Sequence, residues 1–367
     1  MKILHVYKSY FPDSFGGVEK VIESIVKQSN KNGFKTDVLS FSKKSGEHEF
    51  DNYKNIKLKY NIIISSTPFS IQAIFEFKKI ISKYDLIHFH YPFPFADVLK
   101  ILFCPFKKSI VTYHSDIVHQ KIMKLVYYPV EKTFLSLINQ IVYTSPNYLK
   151  TSDNLYKYKH KITCIPIGIN INKLSKISDK YIEKWEKKFK YPTFIFIGVP
   201  RKYKGINVLI KAAQGLKCNI LIIGSGNKMA EFEENSKKLK NKNIIFVNNI
   251  NDDEKRVLLK LCYGLILPST HKSEAFGIVL VEAAVNGKPL ISCEIGTGTS
   301  FVNLNGKTGF VLPPNNPVRL REAISYLLHH PKLAAKMGQS AKLRANSLFH
   351  EKDMALSYFD LYKKVMN

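Results

Sequence analysis

Two glutamates eight positions apart, Glu274 and Glu282, are the residues of this sequence best placed to do chemistry. They belong to STHKSEAFGIVLVEAAVNGKPLISCEIGTGT (residues 269–299), which reads as a strand end, a polar loop, a helix, a second strand and a glycine-threonine loop. Phe276 and Gly277 fall at the first turn of that helix, where free backbone N–H groups and the positive end of the helix dipole favour an anion. Were Glu274 already helical, eight steps of ~100° would leave the carboxylates roughly 80° apart and two turns apart. One could then hold one end of an elongated ligand while the other reaches a more distant part. Carboxylates suit vicinal hydroxyls and a helix start suits phosphate, so a sugar nucleotide lying along this element is the expected ligand.

Other candidates are scattered along the chain. His114 ends the apolar strand KSIVTYH, and a residue at the C-terminal end of a parallel strand points into the crevice where open α/β sheets bind ligands. It could donate a hydrogen bond to a sugar hydroxyl or a leaving phosphate; the alternative is a passive His beside a capping Ser115 or Asp116. Gly16 and Gly17 follow the first strand, where a glycine pair either makes a tight turn or lets backbone approach a diphosphate. They do not form a Gly-x-Gly-x-x-Gly fingerprint. His88 and His90 share one face of DLIHFHY, but spacing places no third ligand, so a packed or cleft-lining pair is expected before a metal site. Asp252, Asp253 and Glu254 read as N-cap and first-turn charge of a helix, and no Asp-x-Asp metal motif stands in a suitable place.

The elements that must position these residues alternate between strand and helix. Lys2 to Tyr7 is a nearly unbroken apolar run, as in a strand buried on both faces of a parallel sheet. Val18 to Asn32 carries Val21, Ile22, Ile25 and Val26 on one helical face, and Gly33 ends it before a strand at 34–41. Residues 43–59 suit a polar surface loop, 56–66 a strand, 70–83 a helix, and strands follow at 85–91, 108–114, 140–145 and 161–168. The helix expected at 121–138 mixes Lys121, Lys124 and Lys132 with large apolar residues, as an amphipathic surface helix or an interfacial one would. The stretch 171–191 is lysine-rich and strandless, which makes it a linker, with or without a short helix. The alternation then restarts through TFIFIG, CNILIIG, NIIFV and GLILPS, and the end from Pro317 onward is helical, broken near Pro331 and Ser347.

The expected organisation is therefore an N-terminal Rossmann-like, acceptor-side domain over 1–170, a linker over 171–191 and a nucleotide-sugar-binding Rossmann-like domain over 192–346. A C-terminal helix over 347–367 returns to the first domain. Two such domains facing each other would place Gly16, Gly17 and His114 on one wall of a cleft. Arg201, Lys204, Gly224, Gly226, Glu274 and Glu282 would lie on the other.

Bulk properties narrow the function classes. The 367 residues are 45% hydrophobic, enough for two cores and too apolar for a disordered chain. Lys and Arg number 56 against 29 Asp and Glu, a net charge of +27, which suits nucleic acid, an anionic membrane surface or anionic small ligands, or reflects a lysine-rich composition. The lysines are spread over polar faces without a nucleic-acid module, so nucleic acid is not an expected partner. Five separated cysteines, none in Cys-x-x-Cys, read as reduced buried thiols. With neither a signal peptide nor a spanning segment visible, a cytoplasmic protein is expected, with an anionic membrane surface as a candidate peripheral partner.

VPRKYKGINVLIKAA, LIIGSGN, HKSEAFGIVLVEAAVNGKPLISCEIGTGTS and NGKTGFVLPPNNP, with FPDSFGGVE and TYHSD in the first half, resemble glycosyltransferase family 4. These are retaining transferases of two Rossmann-like domains (the GT-B fold). The resemblance spans nearly the whole chain. It implies that Glu274 holds hydroxyls of the donor sugar, that backbone at Phe276, Gly277 and Ile278 meets sugar and diphosphate, and that Glu282 binds the ribose. Lys204 would contact the diphosphate, Gly16 and Gly17 would let the first domain close on it, and His114 would sit near the reacting sugar. The family more often has Arg directly after the strand glycine; here Val199 and Pro200 follow Gly198, and Arg201 is expected to take over. Thr297, in the loop 296–299, is a further donor contact, or part of a simple turn.

The resemblance also implies transfer of a hexose, with mannose from GDP-mannose ahead of UDP-sugars, to a glycan or polyprenyl-linked acceptor of surface-polysaccharide synthesis, without a metal or other cofactor. The rivals are a sugar-nucleotide epimerase on the same fold and a non-catalytic basic protein binding membrane or nucleic acid. The ordered site residues speak against the second.

Overall fold

A computed structural model describes residues 1–117, 121–175, 179–189 and 191–367. The chain divides into two compact units, residues 1–168 with 351–367, and residues 169–350. Each is built on its own largely parallel sheet.

The first unit contains β1 (Lys2–Val6), β2 (Lys35–Ser42), β3 (Gly46–Phe50), β4 (Tyr53–Lys59), the pair β5 (Ile62–Ile64) and β6 (Thr67–Phe69), β7 (Leu86–Tyr91), β8 (Ser109–Tyr113), β9 (Gln140–Tyr143) and β10 (Ile162–Cys164). Its main sheet runs β10-β9-β8-β7-β1-β2-β4-β3, parallel except at the β3–β4 edge. Ile3, Leu4 and Val6 in the centre are wholly buried, as helices on both faces require. The helix Gly17–Lys31 follows β1, and Gly33, at φ +84°, supplies the left-handed turn after it that a side chain would resist.

The second unit contains β11 (Thr193–Ile197), β12 (Asn219–Ile223), β13 (Ile244–Val247), β14 (Gly264–Leu267), β15 (Leu290–Cys293) and β16 (Gly309–Leu312), all parallel, in the order β13-β12-β11-β14-β15-β16. In both sheets the strand order reverses beside the unit's first strand, between β1 and β7 and between β11 and β14. That reversal opens a crevice at the carboxyl ends of the strands.

The α/β expectation holds, and the differences are local. Residues 43–59, expected as a loop, form β3 and β4. The edge strand β3 pairs on one side only, so charged side chains such as Glu47, which meets Lys54 of β4, can line it without breaking a core, and the strand period is diluted. Residues 94–103 form a helix begun by Pro94 at its first position, between the strands expected at 85–91 and 108–114. The stretch 171–191 falls within the second unit and carries helices Ile171–Ser175 and Asp179–Glu186; Trp185 is buried and donates to Glu254 Oε1 at 2.8 Å. The cap of the helix Asp252–Leu261 is Asn251, whose Oδ1 accepts from the Glu254 N–H, so the acidic triplet supplies first-turn charge only.

Three helices close the chain, Pro317–His329, Pro331–Leu348 and Glu351–Met366. The last belongs to the first unit, where Glu351 accepts from Ser24 and Gln28, and Tyr358 and Tyr362 are buried. All five cysteines are free thiols, four of them buried and Cys164 partly so. Among the described residues no helix is long and apolar enough to cross a membrane. The interfacial reading of 121–138 rests partly on Lys121 and Lys124, whose side chains lie outside the described residues; a helix does span Lys121–Leu137.

Candidate active site

In the second unit, the crevice between β11 and β14 collects the expected residues from three loops. The segment after β11 ends in a turn, Lys202–Lys204, and then the helix Ile206–Ala212. Gly205 joins them at φ +73°, and a Cβ there would overlap the Pro268 carbonyl oxygen, so only glycine lets this helix start lie against the end of β14. Thr270 N donates to the Tyr203 carbonyl at 2.8 Å and ties the two loops together. This brings the Lys204 ammonium into an ion pair with Glu274, which also accepts from Ser269 Oγ at 3.3 Å.

Both partners are largely buried. Burial pulls the Lys204 pKa down, but Glu274 and Tyr203 push it up, so against opposition from Arg201 it ends above the ordinary lysine value. Lys204 is a fixed cation. Arg201 is exposed, and its charge reaches Lys204.

Glu274 leads into the helix Ile278–Val285 through Gly277, which caps it at φ +79°. The Phe276 ring is buried edge-on to Phe349, so what this residue offers a ligand is backbone. Glu282 is held from the helix Asp252–Leu261 by Lys255, whose ammonium lies 2.7 Å from Oε1 and 2.5 Å from Oε2. Gly224, after β12, meets the Gly198 carbonyl so closely that a Cβ would overlap it, and Pro200 Cδ packs on the same place. The two glycines let adjacent strand ends converge beneath the Lys204 ammonium, itself 3.8 Å from where a Gly198 Cβ would be.

In the first unit, Gly16 caps the helix Gly17–Lys31. A Cβ on Gly16 would overlap the buried Glu19 carboxylate, which accepts from Ser9 Oγ at 3.0 Å and Ser14 Oγ at 2.7 Å. The glycine leaves room for this internal carboxylate at the positive helix end, and Gly17 is the exposed member of the pair.

His114 follows β8 and is buried, its Nε2 3.0 Å from His90 Nδ1. His90 Nε2 lies 2.9 Å from His5 Nδ1, His5 Nε2 3.4 Å from Tyr362 Oη, and Tyr362 Oη 2.9 Å from His88 Nδ1. His88 Nε2 meets Thr112 Oγ1 at 2.8 Å, which meets Tyr358 Oη at 2.8 Å. Burial lowers the pKa of His5 and His114 to about 3 and those of His88 and His90 well below the usual value. All four imidazoles are neutral at neutral pH, each with one donor and one acceptor nitrogen. The chain of bonds therefore has two proton orders, one leaving His114 Nδ1 a donor and the other an acceptor.

Residues 177–344 match the family model described as glycosyl transferases group 1, and residues 15–173 the one described as glycosyltransferase family 4. A relative from Escherichia coli named O-antigen chain mannosyltransferase C is 38% identical over 368 residues, covering 100% of this chain and 99% of its own length. The chain belongs to glycosyltransferase family 4. A Pseudomonas aeruginosa relative, D-rhamnosyltransferase WbpZ, is 36% identical over 95% of the transferase and 92% of its own length. Solved structures share the fold: sucrose-phosphate synthase from Thermosynechococcus elongatus has a TM-score of 0.80 at 21% identity, covering 99% of the transferase and 98% of that chain. Anabaena HepE in complex with UDP-glucose has a TM-score of 0.81 at 17% identity, covering 99% and 100%.

Within the transferase, Lys204, Glu274, Phe276, Gly277 and Ile278 come together at one crevice. Thr297 is wholly buried and donates its hydroxyl to the Glu274 carbonyl at 2.7 Å, so that side chain positions the Glu274 backbone and does not face a ligand. Gly224 likewise acts by packing. Sequence reasoning missed Lys255, His5, Tyr358 and Tyr362. Lys255 sits in an ordinary charged helix and carries no signal. Tyr358 and Tyr362, four apart on an apolar helical face, were readable only as core.

His5, His88 and His90 present ring nitrogens within 4.8 Å of one another, so β1 supplies the third histidine that spacing could not. Their nitrogens already bond to one another, to His114, to Thr112 and to Tyr362, and taking a cation would break the His5–His90 contact. They form a hydrogen-bonded array.

Proposed function

We propose that this transferase moves a hexose in manno configuration, mannose first, from its GDP-activated form to a glycan or polyprenyl-linked acceptor of a surface polysaccharide, with retention at the anomeric carbon. The observation that carries this reading is the Lys204–Glu274 pair at the carboxyl ends of β11 and β14, a cation and a hydroxyl acceptor held side by side. The names of the two full-length relatives support the sugar: one is a mannosyltransferase and the other transfers D-rhamnose, which is 6-deoxy-D-mannose.

In this reading Glu274 accepts hydrogen bonds from hydroxyls of the donor sugar, and backbone at Phe276, Gly277 and Ile278 meets sugar and diphosphate. Glu282, oriented by Lys255, accepts from the ribose hydroxyls. The bond between the anomeric carbon and the diphosphate oxygen breaks as the acceptor oxygen bonds on the same face. The acceptor proton passes to the departing phosphate oxygen. Lys204 and Arg201 hold the charge that grows on the diphosphate, a preorganised cation being worth more in a partly buried site than in water. Glu274 is placed to hold hydroxyls and needs no approach to the anomeric carbon, unlike the carboxylate pair of a glycosidase. His114, neutral, hydrogen-bonds a sugar hydroxyl, and the exposed Gly17 edge of the helix start lets backbone come near the diphosphate. A lipid-linked acceptor would put the enzyme to work at the cytoplasmic face of a membrane.

Calorimetric titration with GDP-mannose, GDP and UDP-sugars tests the donor, and product analysis tests retention. Binding of GDP-mannose with transfer to a lipid-linked glycan is the expected result. Failure to bind any nucleotide sugar, or full transfer by Glu274→Ala, overturns the reading.

A further inference from the structure

The first unit carries an apolar surface that its core does not use. Ile62, Ile63, Ile64, Ile71, Ile74 and Phe75 are each between 44% and 78% exposed. Three come from β5, whose hairpin with β6 turns through Ser65 and Ser66, both at positive φ. Successive strand residues point to opposite faces, so exposure of all three isoleucines means that neither face of β5 is covered. The inner strand is anchored instead, with Phe69 against the ring of Phe95 and both Thr67 and Pro68 buried.

The other three lie on the helix Ile71–Ile81. Its buried stripe is Ala73, Phe77 and Ile81, and at ~100° per residue Ile71, Ile74 and Phe75 form a second apolar stripe turned by roughly 110° from it, with Lys78 in the middle. The two parts make one surface. Asn61 N donates to the Phe69 carbonyl at 2.8 Å at the hairpin base, while Asn61 Oδ1 accepts from Ile71 N at 2.8 Å, and Ser70 Oγ donates to the Lys59 carbonyl at 2.6 Å. Exposed Lys59 and Lys79 border it and Lys78 stands within it, against a single exposed acid, Glu76, in a chain of net charge +27.

We infer that this hairpin and the first turns of the following helix dock on the headgroup and acyl boundary of an anionic lipid bilayer. Isolated apolar side chains are normal on a surface, but a contiguous set with a cationic border matches the two attractions that hold an interfacial element: apolar burial and charge against anionic lipid. A second copy of the chain is the poorer occupant, because a two-fold contact would set Lys78 and Lys79 of both copies against each other. Topology gives the docking a purpose. β4 runs parallel to β2, β1, β7 and β8, so the hairpin that leaves its carboxyl end stands on the same edge of the sheet as Gly17 after β1 and His114 after β8. Docked there, the first unit presents that edge to a membrane-borne acceptor. The purpose rests on the acceptor proposed above; the docking does not.

Sedimentation of the full chain with vesicles tests the docking without donor or acceptor, so its failure is distinct from failure of the transfer reading. The chain is expected to partition onto vesicles of phosphatidylethanolamine and phosphatidylglycerol in equal parts, and far less onto phosphatidylcholine. Ile63→Asp with Phe75→Asp is expected to lower the partition coefficient by about tenfold or more, both sites being exposed, with circular dichroism and nucleotide-sugar binding unchanged. An Ile63→Trp variant gives a second readout, a blue shift of emission on vesicle addition, over the constant background of buried Trp185. Absence of partition, equal partition of the double Asp variant, or an Ile63→Trp emission unmoved by vesicles overturns the inference. So does loss of partition only with Lys78→Glu and Lys79→Glu, which would mean charge adsorption alone. A dimer dissolved by Ile63→Asp in lipid-free solution would assign the surface to a second copy and also overturn it.

Discussion

The Lys204 ammonium and the Glu274 carboxylate, 70 positions apart in sequence, are ion-paired at the carboxyl end of the second sheet. Neither loop alone makes the site. The turn after β11 brings the cation, the loop after β14 brings the anion, and Gly205 allows the close approach that joins them. A pair of this kind leaves each group charged and aimed before any ligand arrives, which is what a site for a diphosphate beside sugar hydroxyls needs.

Removing one partner leaves the other charged and largely buried, which costs about 3–5 kcal/mol in a fully buried pair and less here, where both side chains keep some solvent. Lys204→Met is therefore expected to lower the midpoint of thermal unfolding and to weaken nucleotide-sugar binding by at least about tenfold. Glu274→Gln should lower kcat more than it weakens binding of the free nucleoside diphosphate. In the double variant stability should recover while transfer stays lost, a non-additivity that a double-mutant cycle measures. Additive losses in stability would contradict the pairing.

Gly224→Ala tests the convergence of strand ends beneath the site. The added Cβ would overlap the Gly198 carbonyl oxygen, a backbone atom that cannot rotate away. Overpacking of this kind costs about 1–3 kcal/mol, so a stability loss in that range by denaturant unfolding is expected, with weaker donor binding because Lys204 sits over Gly198. Gly215→Ala is the control for a glycine with open space around it, strained only by its φ of +77°.

Much of this was legible in the sequence, for reasons that differ residue by residue. Strands buried on both faces read as continuous apolar runs, so β1, β8, β11 and β12 were plain, and the doubly wound class followed. Glu274 and Glu282 stood out because two acids flank a helix start in an otherwise apolar segment. What stayed hidden depends on partners distant in sequence. Lys255 reaches Glu282 across two helices, and His5 meets His90 only because β1 and β7 pair in register, His5 opposite His88. Thr297 looked like a phosphate contact because loop glycines and threonines do so often bind phosphate; its hydroxyl instead bonds the Glu274 carbonyl. The edge strand β3 escaped because a charged, one-sided strand has no apolar period to read.

Lys255 offers a test of orientation separate from contact. It pairs with both carboxylate oxygens of Glu282 from another helix, Asp252–Leu261. Lys255→Met should leave Glu282 free to rotate, weakening GDP and GDP-sugar binding by a similar factor, about three- to tenfold, since the ribose is common to both. Glu282→Gln should do the same. A loss seen with the sugar nucleotide and not with the free nucleoside diphosphate would move Glu282 from the ribose to the sugar.

The histidine array makes acid stability a readout of the site. His5 and His114 have folded pKa values lowered from 6.5 to about 3, and His88 and His90 are lowered as well. The unfolded chain therefore binds more protons below pH 6.5, and stability falls with pH from there toward 3. Each imidazole kept neutral removes about 1.4 kcal/mol per pH unit across that window, so together they should give a slope steeper than one proton per molecule. Urea unfolding measured between pH 7 and 4 is expected to show it, and His90→Phe should make the slope shallower while cutting His114 off from His5. Transfer by that variant should keep donor binding and lose kcat if the array fixes which nitrogen of His114 carries the proton. A wild-type rate that titrates near pH 6.5 with the slope of a free imidazole would show that His114 is protonated in the working range, and the neutral relay would be wrong.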